Sequence, residues 1–227
     1  MAERIRIDIA PSESVTALLY EEAREPLGVC LVLAHGAGGN QMSSFMVKFA
    51  GALAGRGIDV ATFNFLYSEQ RKRGPDRNDK LELCWKRVIE TFRSEIIPQL
   101  GPRKLVIGGK SMGGRIASQV AATTPDGIAG LVFLGYPLHP PGRPDQLRSR
   151  HLPGIRAPML FVQGAKDAFG TPDELRPIIR RLKAPAELCV VEGGDHSFKV
   201  PMRFVTPQDK VDEFVLKETE RWLRLAI

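Results

Sequence analysis

The stretch around residue 111 contains a serine in a setting that favours nucleophilic chemistry. An apolar run, Leu105-Val106-Ile107, leads into the pattern Gly-x-Ser-x-Gly, in which Ser111 lies between Gly109 and Gly113, and a helical pattern follows. A serine at a sharp turn from strand to helix projects its hydroxyl from the carboxyl edge of the sheet. The five-residue pattern alone also fits a glycine-rich turn with an inert hydroxyl. Because of the strand before it and the helix after it, we predict that Ser111 is a nucleophile.

A serine hydroxyl needs a neighbouring base, and the chain has four histidines. His196 follows the apolar run 188–191, so it lies on a loop after a late strand and reaches the carboxyl edge of the sheet. His35 also ends a strand but opens a glycine-rich segment, whereas His139 and His151 lie among prolines and arginines. We predict His196 as the general base; the alternative is an ordinary surface-loop histidine.

A catalytic histidine needs a third group that fixes its tautomer, and Asp167 is the predicted acid. It follows the predicted strand 157–163 and lies between the serine and the histidine in chain order. Asp195 is the rival, but adjacent residues seldom turn their side chains toward each other, so we interpret it as a loop-structuring aspartate. Asp145 and Asp173 have the positions of residues that start helices.

Acyl transfer also needs two backbone N–H donors that bind the developing oxyanion. One comes from the residue after the nucleophile, here Met112, and the other from the loop after an earlier strand. The apolar run 29–34 ends in His35-Gly36-Ala37-Gly38-Gly39. We predict Ala37 as the second donor, with Gly38 as the alternative; an ordinary strand-to-helix turn is the other interpretation.

The remaining segments alternate between strand and helix patterns, which predicts one α/β domain over residues 1–227. Its mostly parallel sheet has about eight strands, with helices on both faces. The predicted strands are Ile5–Ile9, Val15–Tyr20, 28–35, 58–66, 103–109, 128–135, 157–163 and 187–192. The predicted helices are 41–55, 79–97, 111–123, 172–183 and 207–225.

Three details of this plan concern the rim and the last helix. Only about twenty irregular residues, 136–156, separate two late strands, too few for a lid domain. A second irregular stretch, 68–78, is expected at the rim, beside Tyr67, which either reaches the pocket or packs at its edge. The last helix is expected to start with Thr206 as its cap and Pro207 at its first position. Its core-facing residues are expected to be Val211, Phe214, Val215 and Trp222.

Together these motifs resemble an α/β-hydrolase of the small, lidless type related to dienelactone hydrolases. The narrower resemblance is to testis-expressed hydrolase-like proteins and to a hydrolase-like subunit of a chromatin-associated acetyltransferase complex. The motifs that carry it are 35–39, 63–67, 109–115, 163–167 and 195–198. Dienelactone hydrolases typically have a cysteine nucleophile, and this chain has Ser111 in that position. The resemblance indicates the fold and the site, and the candidate residues predict a serine hydrolase that cleaves acyl compounds through an acyl-enzyme and needs no metal or cofactor.

Composition sets limits on partners and location. The formal net charge is +6, but the basic residues lie in separate clusters. No motif for stacking on bases and no recognition helix accompanies them, so no nucleic-acid partner is expected. No apolar signal segment or membrane-spanning run is found in the sequence. Cys30, Cys84 and Cys189 have no metal or redox spacing, which is typical of a cytoplasmic protein. The competing hypothesis is a non-catalytic interaction module on a hydrolase fold.

Three cations lie close in sequence to the candidate site: Lys110, Arg115 and Lys166. They either raise the local potential and favour anionic substrates, or point into solvent and pair with carboxylates. The residues leave open whether the substrate is an ester, a thioester or a peptide, and they do not determine the oligomeric state.

Overall fold

The computed structural model describes residues 2–21, 25–201 and 206–227. Its eight strands are β1 (Glu3–Ala10), β2 (Glu13–Tyr20), β3 (Val29–Ala34), β4 (Asp59–Phe63), β5 (Lys104–Lys110), β6 (Gly130–Leu134), β7 (Met159–Gly164) and β8 (Ala186–Val191). Its α-helices are α1 (Ser44–Ala54), α2 (Leu66–Glu69), α3 (Asn78–Thr91), α4 (Ile97–Leu100), α5 (Met112–Thr123), α6 (Pro172–Ile179) and α7 (Gln208–Ala226). A π turn, Phe92–Ile96, joins α3 to α4, and a short 3-10 turn covers Leu152–Gly154.

All eight strands form one sheet in the order β1-β2-β4-β3-β5-β6-β7-β8. The hairpin β1–β2 is antiparallel and pairs antiparallel with β4, whereas β3 to β8 are parallel to one another. The inner strands β3, β4, β6 and β7 are buried along their whole length, as expected of strands that are covered on both faces. This is the mostly parallel, helix-flanked sheet that the sequence predicts.

Two apolar cores lie on opposite faces of the sheet. One is built around Trp85 of α3, Ile116 of α5 and Phe133 of β6. The other joins Phe49 of α1 and Trp222 of α7 to the sheet. Because both faces are covered, the open surface of the sheet is its edge at the strands' carboxyl ends, where ligands bind in open α/β sheets.

The last helix corrects two expectations. Pro207, with φ −64° and ψ 152°, is the cap, and α7 begins at Gln208, so Thr206 is not the capping residue. Phe214 is 41% exposed and does not belong to the core. The buried stripe runs instead through Val211, Val215 and Trp222, and Phe214 lies at the solvent side of that stripe.

The connection after β6 matches the expected absence of a lid. Between residues 135 and 158 the structure has only the 3-10 turn Leu152–Gly154. The stretch 68–78 is less irregular than expected, since α2 reaches Glu69 and α3 begins at Asn78. Among the residues that the structure describes, no helix has the length and apolar character needed to cross a bilayer.

Candidate active site

Ser111 lies at a tight turn between β5 and α5. Its backbone angles, φ 52° and ψ −119°, are rare for a residue with a side chain, so the surrounding structure must hold it there. A Cβ at Gly109 would lie 2.2 Å from the Ala34 carbonyl oxygen, and one at Gly113 would lie 2.3 Å from it. Both positions therefore require glycine, because strand and helix close on the end of β3.

Two hydrogen bonds fix this turn to the rest of the fold. The Ser111 N–H donates to the Leu134 carbonyl at 3.1 Å, and the Trp85 indole N–H donates to the Gly113 carbonyl at 3.2 Å. Trp85 is fully buried in the core beside α5. The strained backbone at Ser111 is thus supported from the neighbouring strand and from the helix layer.

His196 comes from the loop after β8 and lies between the other two predicted catalytic side chains. Its Nε2 is 2.8 Å from the Ser111 Oγ, and its Nδ1 is 2.7 Å from the Asp167 Oδ2. Because a carboxylate only accepts, Nδ1 carries the proton, and Nε2 accepts from the serine hydroxyl. The ring also packs against Phe169, with 4.2 Å between the ring centroids. The three side chains form one hydrogen-bonded chain.

Asp167 is 1% exposed, and both of its oxygens accept hydrogen bonds. The Phe169 N–H donates to Oδ1 at 2.8 Å, and the Gln163 amide donates to Oδ2 at 2.8 Å. Asp195 has a different environment. Its Oδ1 accepts from the N–H groups of Ser197 and Lys199 at 2.7 and 2.9 Å, which stabilises the loop.

Gln163 is a buried residue of the site that the sequence analysis missed. Its amide nitrogen lies within hydrogen-bonding distance of Asp167, of the Tyr136 carbonyl and of the Gly170 carbonyl, and its Oε1 accepts from the Tyr136 N–H at 2.8 Å. The available signal was a single amide at the end of the apolar run of β7. A polar side chain in such a run needs a partner, and the nearby acid is the partner here.

The segment after β3, residues 36–39, forms a loop beside the serine, which we call the oxyanion loop. A Cβ at Gly36 would lie 3.4 Å from the Ser111 Cβ. Ala37 and Met112 both line the same cavity as Ser111. Within the described part of the chain, the Ala37 N–H donates to no backbone carbonyl. It is available to a ligand in the cavity.

His35 and Tyr67 support the oxyanion loop through hydrogen bonds to its backbone carbonyls. His35 is buried; its Nδ1 donates to the Gly36 carbonyl at 2.8 Å, and its Nε2 accepts from the Phe65 N–H at 3.2 Å. Burial lowers the pKa of His35, which keeps the ring neutral. The Tyr67 hydroxyl donates to the Ala37 carbonyl at 3.1 Å. Tyr67 is buried and does not line the cavity, and its hydroxyl supports the oxyanion loop.

Lys110 lies beneath the histidine loop. Its ammonium donates to the His196 carbonyl and lies 5.8 Å from the ring centroid of Phe45 and 5.5 Å from that of Phe198. Burial lowers the pKa of Lys110 to about 8, against the opposing effect of Asp167 and Asp195. Lys110 lines the cavity, but its ammonium is held by a backbone carbonyl and pairs with no carboxylate among the described residues.

A cavity of about 970 Å³ opens over Ser111. Its walls come from the oxyanion loop, α1, the starts of α3, α5 and α7, and the loops after β6, β7 and β8. His139 and His151 lie outside this lining; they contact Glu174 and Ser118 respectively. Among the described residues, no group of three or more His, Cys, Asp or Glu side chains is arranged to hold a metal ion.

A known protein family matches most of this chain. The family described as the alpha/beta hydrolase domain matches residues 28–224, so the chain belongs to that family. The motifs at the turn, at the oxyanion loop and at the two loops that carry Asp167 and His196 all lie inside the matched range.

Several solved structures have the same fold. A dienelactone hydrolase from Anabaena variabilis has a TM-score of 0.75 at 18% identity, over 100% of this chain and 98% of that one. A serine hydrolase without a lid, from Xanthomonas campestris, has a TM-score of 0.72 at 19% identity, over 97% and 94%. The esterase domain of a Rhodothermus marinus protein has a TM-score of 0.69 at 15% identity, over 99% and 98%. At these identities the likeness shows the fold.

Proposed function

We propose that this protein is a serine hydrolase that cleaves a carboxylester or thioester through an acyl-enzyme intermediate. The observation that carries the proposal is the hydrogen-bonded chain from Asp167 through His196 to Ser111, at 2.7 and 2.8 Å. It ends at the cavity, where the serine hydroxyl meets a bound substrate. The hydrolase family and the esterases among the similar structures support the same class of reaction.

In this mechanism the Ser111 Oγ attacks the carbonyl carbon while His196 Nε2 takes the hydroxyl proton. Asp167 holds the Nδ1–H and stabilises the imidazolium that forms. The N–H groups of Met112 and Ala37 bind the oxyanion of the tetrahedral intermediate. His196 then returns the proton to the leaving group, and a water molecule repeats the sequence to release the acid. Apart from that water molecule and the substrate, the groups that act are side chains and backbone groups of this chain.

The hypothesis of a non-catalytic interaction module explains fewer observations. A scaffold needs neither a serine held at an unfavourable backbone conformation nor a buried aspartate with both oxygens satisfied. We also propose that the protein is related to the testis-expressed and chromatin-complex hydrolase-like group. Its proposed location is the cytoplasm, and residues 1–227 are proposed to form a single domain. In the described parts of the chain no lid domain covers the cavity, which favours small acyl groups because a long bound chain would stay exposed to water.

A panel of p-nitrophenyl esters and acyl thioesters of two to eight carbons tests this function. The expected result is turnover that is greatest for short acyl chains, with a burst of p-nitrophenol before the steady state when deacylation is slow. Intact-protein mass spectrometry of the quenched reaction should show one added acyl group. His196→Gln should show neither the burst nor the added mass. Turnover that persists in His196→Gln would contradict the proposal.

A further inference from the structure

Two arginines on one wall of the cavity face it without a carboxylate partner. Arg115 and Arg148 both line the cavity over Ser111, and both are only partly exposed. The Arg115 guanidinium has two contacts, each of 3.4 Å, to the neutral side-chain oxygens of Asn78 and Gln119. In residues 2–21, 25–201 and 206–227, neither guanidinium forms an ion pair with a carboxylate. A partly buried cation without a counter-ion, such as Arg115, is costly for a fold to maintain.

The neighbouring acidic groups do not compensate for this pair. Asp76 and Asp212 also line the cavity, but Asp76 is 3.7 Å from the Lys72 ammonium and Asp212 forms an ion pair with Lys48. Burial, followed by repulsion from Arg148, lowers the pKa of Arg115, and the opposing effect of Glu82, which raises this pKa, is smaller than either. An arginine remains charged despite such a shift. This wall of the cavity is therefore positive.

Both arginines are held on fixed backbone. Arg115 lies four residues after Ser111, and its N–H donates to the Ser111 carbonyl at 3.1 Å, so it projects from the same side of α5 one turn further along. The Arg148 N–H donates to the Leu138 carbonyl at 2.7 Å, and its own carbonyl accepts from the Tyr136 hydroxyl at 2.8 Å. The Arg115 backbone is one helical turn, ~5 Å, from Ser111, and Arg115, Arg148 and Ser111 all line one cavity.

We propose that Arg115 and Arg148 bind a carboxylate of the substrate, so that the acyl compound cleaved at Ser111 carries a second, anionic group a few bonds from the scissile carbonyl. The guanidinium fork matches a planar carboxylate with two parallel N–H bonds. The inference rests on the proposed hydrolase function and specifies its substrate class. Lys110 and Lys166 are not part of this subsite, because Lys110 donates to the His196 carbonyl and exposed Lys166 does not line the cavity.

The test compares two esters of equal length, p-nitrophenyl hydrogen adipate and its methyl ester, which differ by one negative charge. We expect kcat/KM to favour the acid by about tenfold or more, the usual worth of a charge-assisted hydrogen bond. Arg115→Gln and Arg148→Gln should each lower kcat/KM for the acid more than for the methyl ester, so that the ratio of the two values falls toward one. Arg150→Gln is the matched control, since Arg150 is exposed on the same loop and does not line the cavity.

The outcomes separate this inference from the function on which it rests. Equal rates for both esters in the wild type, or equal losses for both in the glutamine variants, would overturn the carboxylate subsite and leave the hydrolase function standing. Failure to cleave either ester, together with no fluorophosphonate labelling of Ser111, would overturn both. Adipate added during labelling supplies a readout without turnover: it should slow labelling of the wild type and of Arg150→Gln but not of Arg148→Gln.

Discussion

Replacing Asp167 by asparagine tests whether this carboxylate orients His196. Asp167 receives three N–H donors, from His196, Gln163 and the backbone of Phe169, and it is almost fully buried. An asparagine has one oxygen and one amide nitrogen, so at least one of these donors must then face another donor at about 2.8 Å. Gln163 cannot turn its amide around to relieve this, because its Oε1 already accepts from the Tyr136 N–H.

Either orientation of the asparagine harms catalysis. If its amide nitrogen faces His196, the ring must accept at Nδ1 and carry its proton on Nε2, which then cannot take the proton of Ser111. If its oxygen faces His196, the negative charge that stabilises the imidazolium is still lost. We expect kcat to fall by a factor on the order of 10⁴, equivalent to about 5 kcal/mol in the barrier. The unmade hydrogen bond should also lower the free energy of unfolding by about 1–3 kcal/mol.

Asp195→Asn is the matched comparison, because it removes the same charge one residue from His196. An asparagine oxygen there still accepts from the N–H groups of Ser197 and Lys199, so kcat should stay within about tenfold of the wild type. The assay is steady-state hydrolysis of a short p-nitrophenyl ester, with urea unfolding showing that each variant is folded under assay conditions. A larger loss in Asp195→Asn than in Asp167→Asn would refute the assignment of the acid.

Three further predictions follow from residues around the site. Tyr67→Phe removes the donor to the oxyanion loop, so kcat should fall about five- to tenfold while KM changes little, as steady-state kinetics will show; an unchanged kcat would mean that the loop needs no such support. Lys110→Met should lower kcat about tenfold and Lys110→Arg much less, because only arginine keeps a charged donor to the His196 carbonyl. Wild-type kcat should also fall as the pH rises through about 8, where the ammonium loses its charge, and the pH profile of Lys110→Met should lack this fall. Burial and Arg115 lower the pKa of His151 to about 4, so the folded protein favours the neutral ring, and the free energy of unfolding falls as the pH falls from about 6.5 to 4. Urea unfolding of His151→Gln should show a smaller fall over that range, and an equal fall would exclude the histidine as its source.

The parts of the site that follow from local sequence are those that the sequence analysis found. The turn at Ser111 depends on glycines within two residues of it, and the glycine-rich loop after β3 follows directly from an apolar run. Strand order along the chain then places the ends of β3, β5, β7 and β8 at one edge of the sheet. Each of these signals lies within a few residues of the chain, so a single sequence is enough to detect it.

The supporting contacts depend on distant packing, and the sequence analysis did not find them. Lys110 meets the carbonyl of a residue 86 positions later, and Tyr67 meets the oxyanion loop across 30 positions. Neither pairing leaves a pattern in a single sequence. Phe214 shows the converse error. Its helical spacing fits a core residue, yet the buried stripe of α7 is displaced to the side away from it, where it includes Leu216, Thr219 and Leu223.

The central claim is that Ser111 is the nucleophile, and fluorophosphonate labelling tests it most directly. Wild-type protein incubated with a fluorophosphonate probe should gain one adduct, which peptide mass spectrometry should locate on Ser111. Ser111→Ala should gain none, and its kcat should fall by roughly 10⁴–10⁶, because members of a catalytic triad act as a unit. Undiminished labelling of Ser111→Ala on another serine would contradict the account.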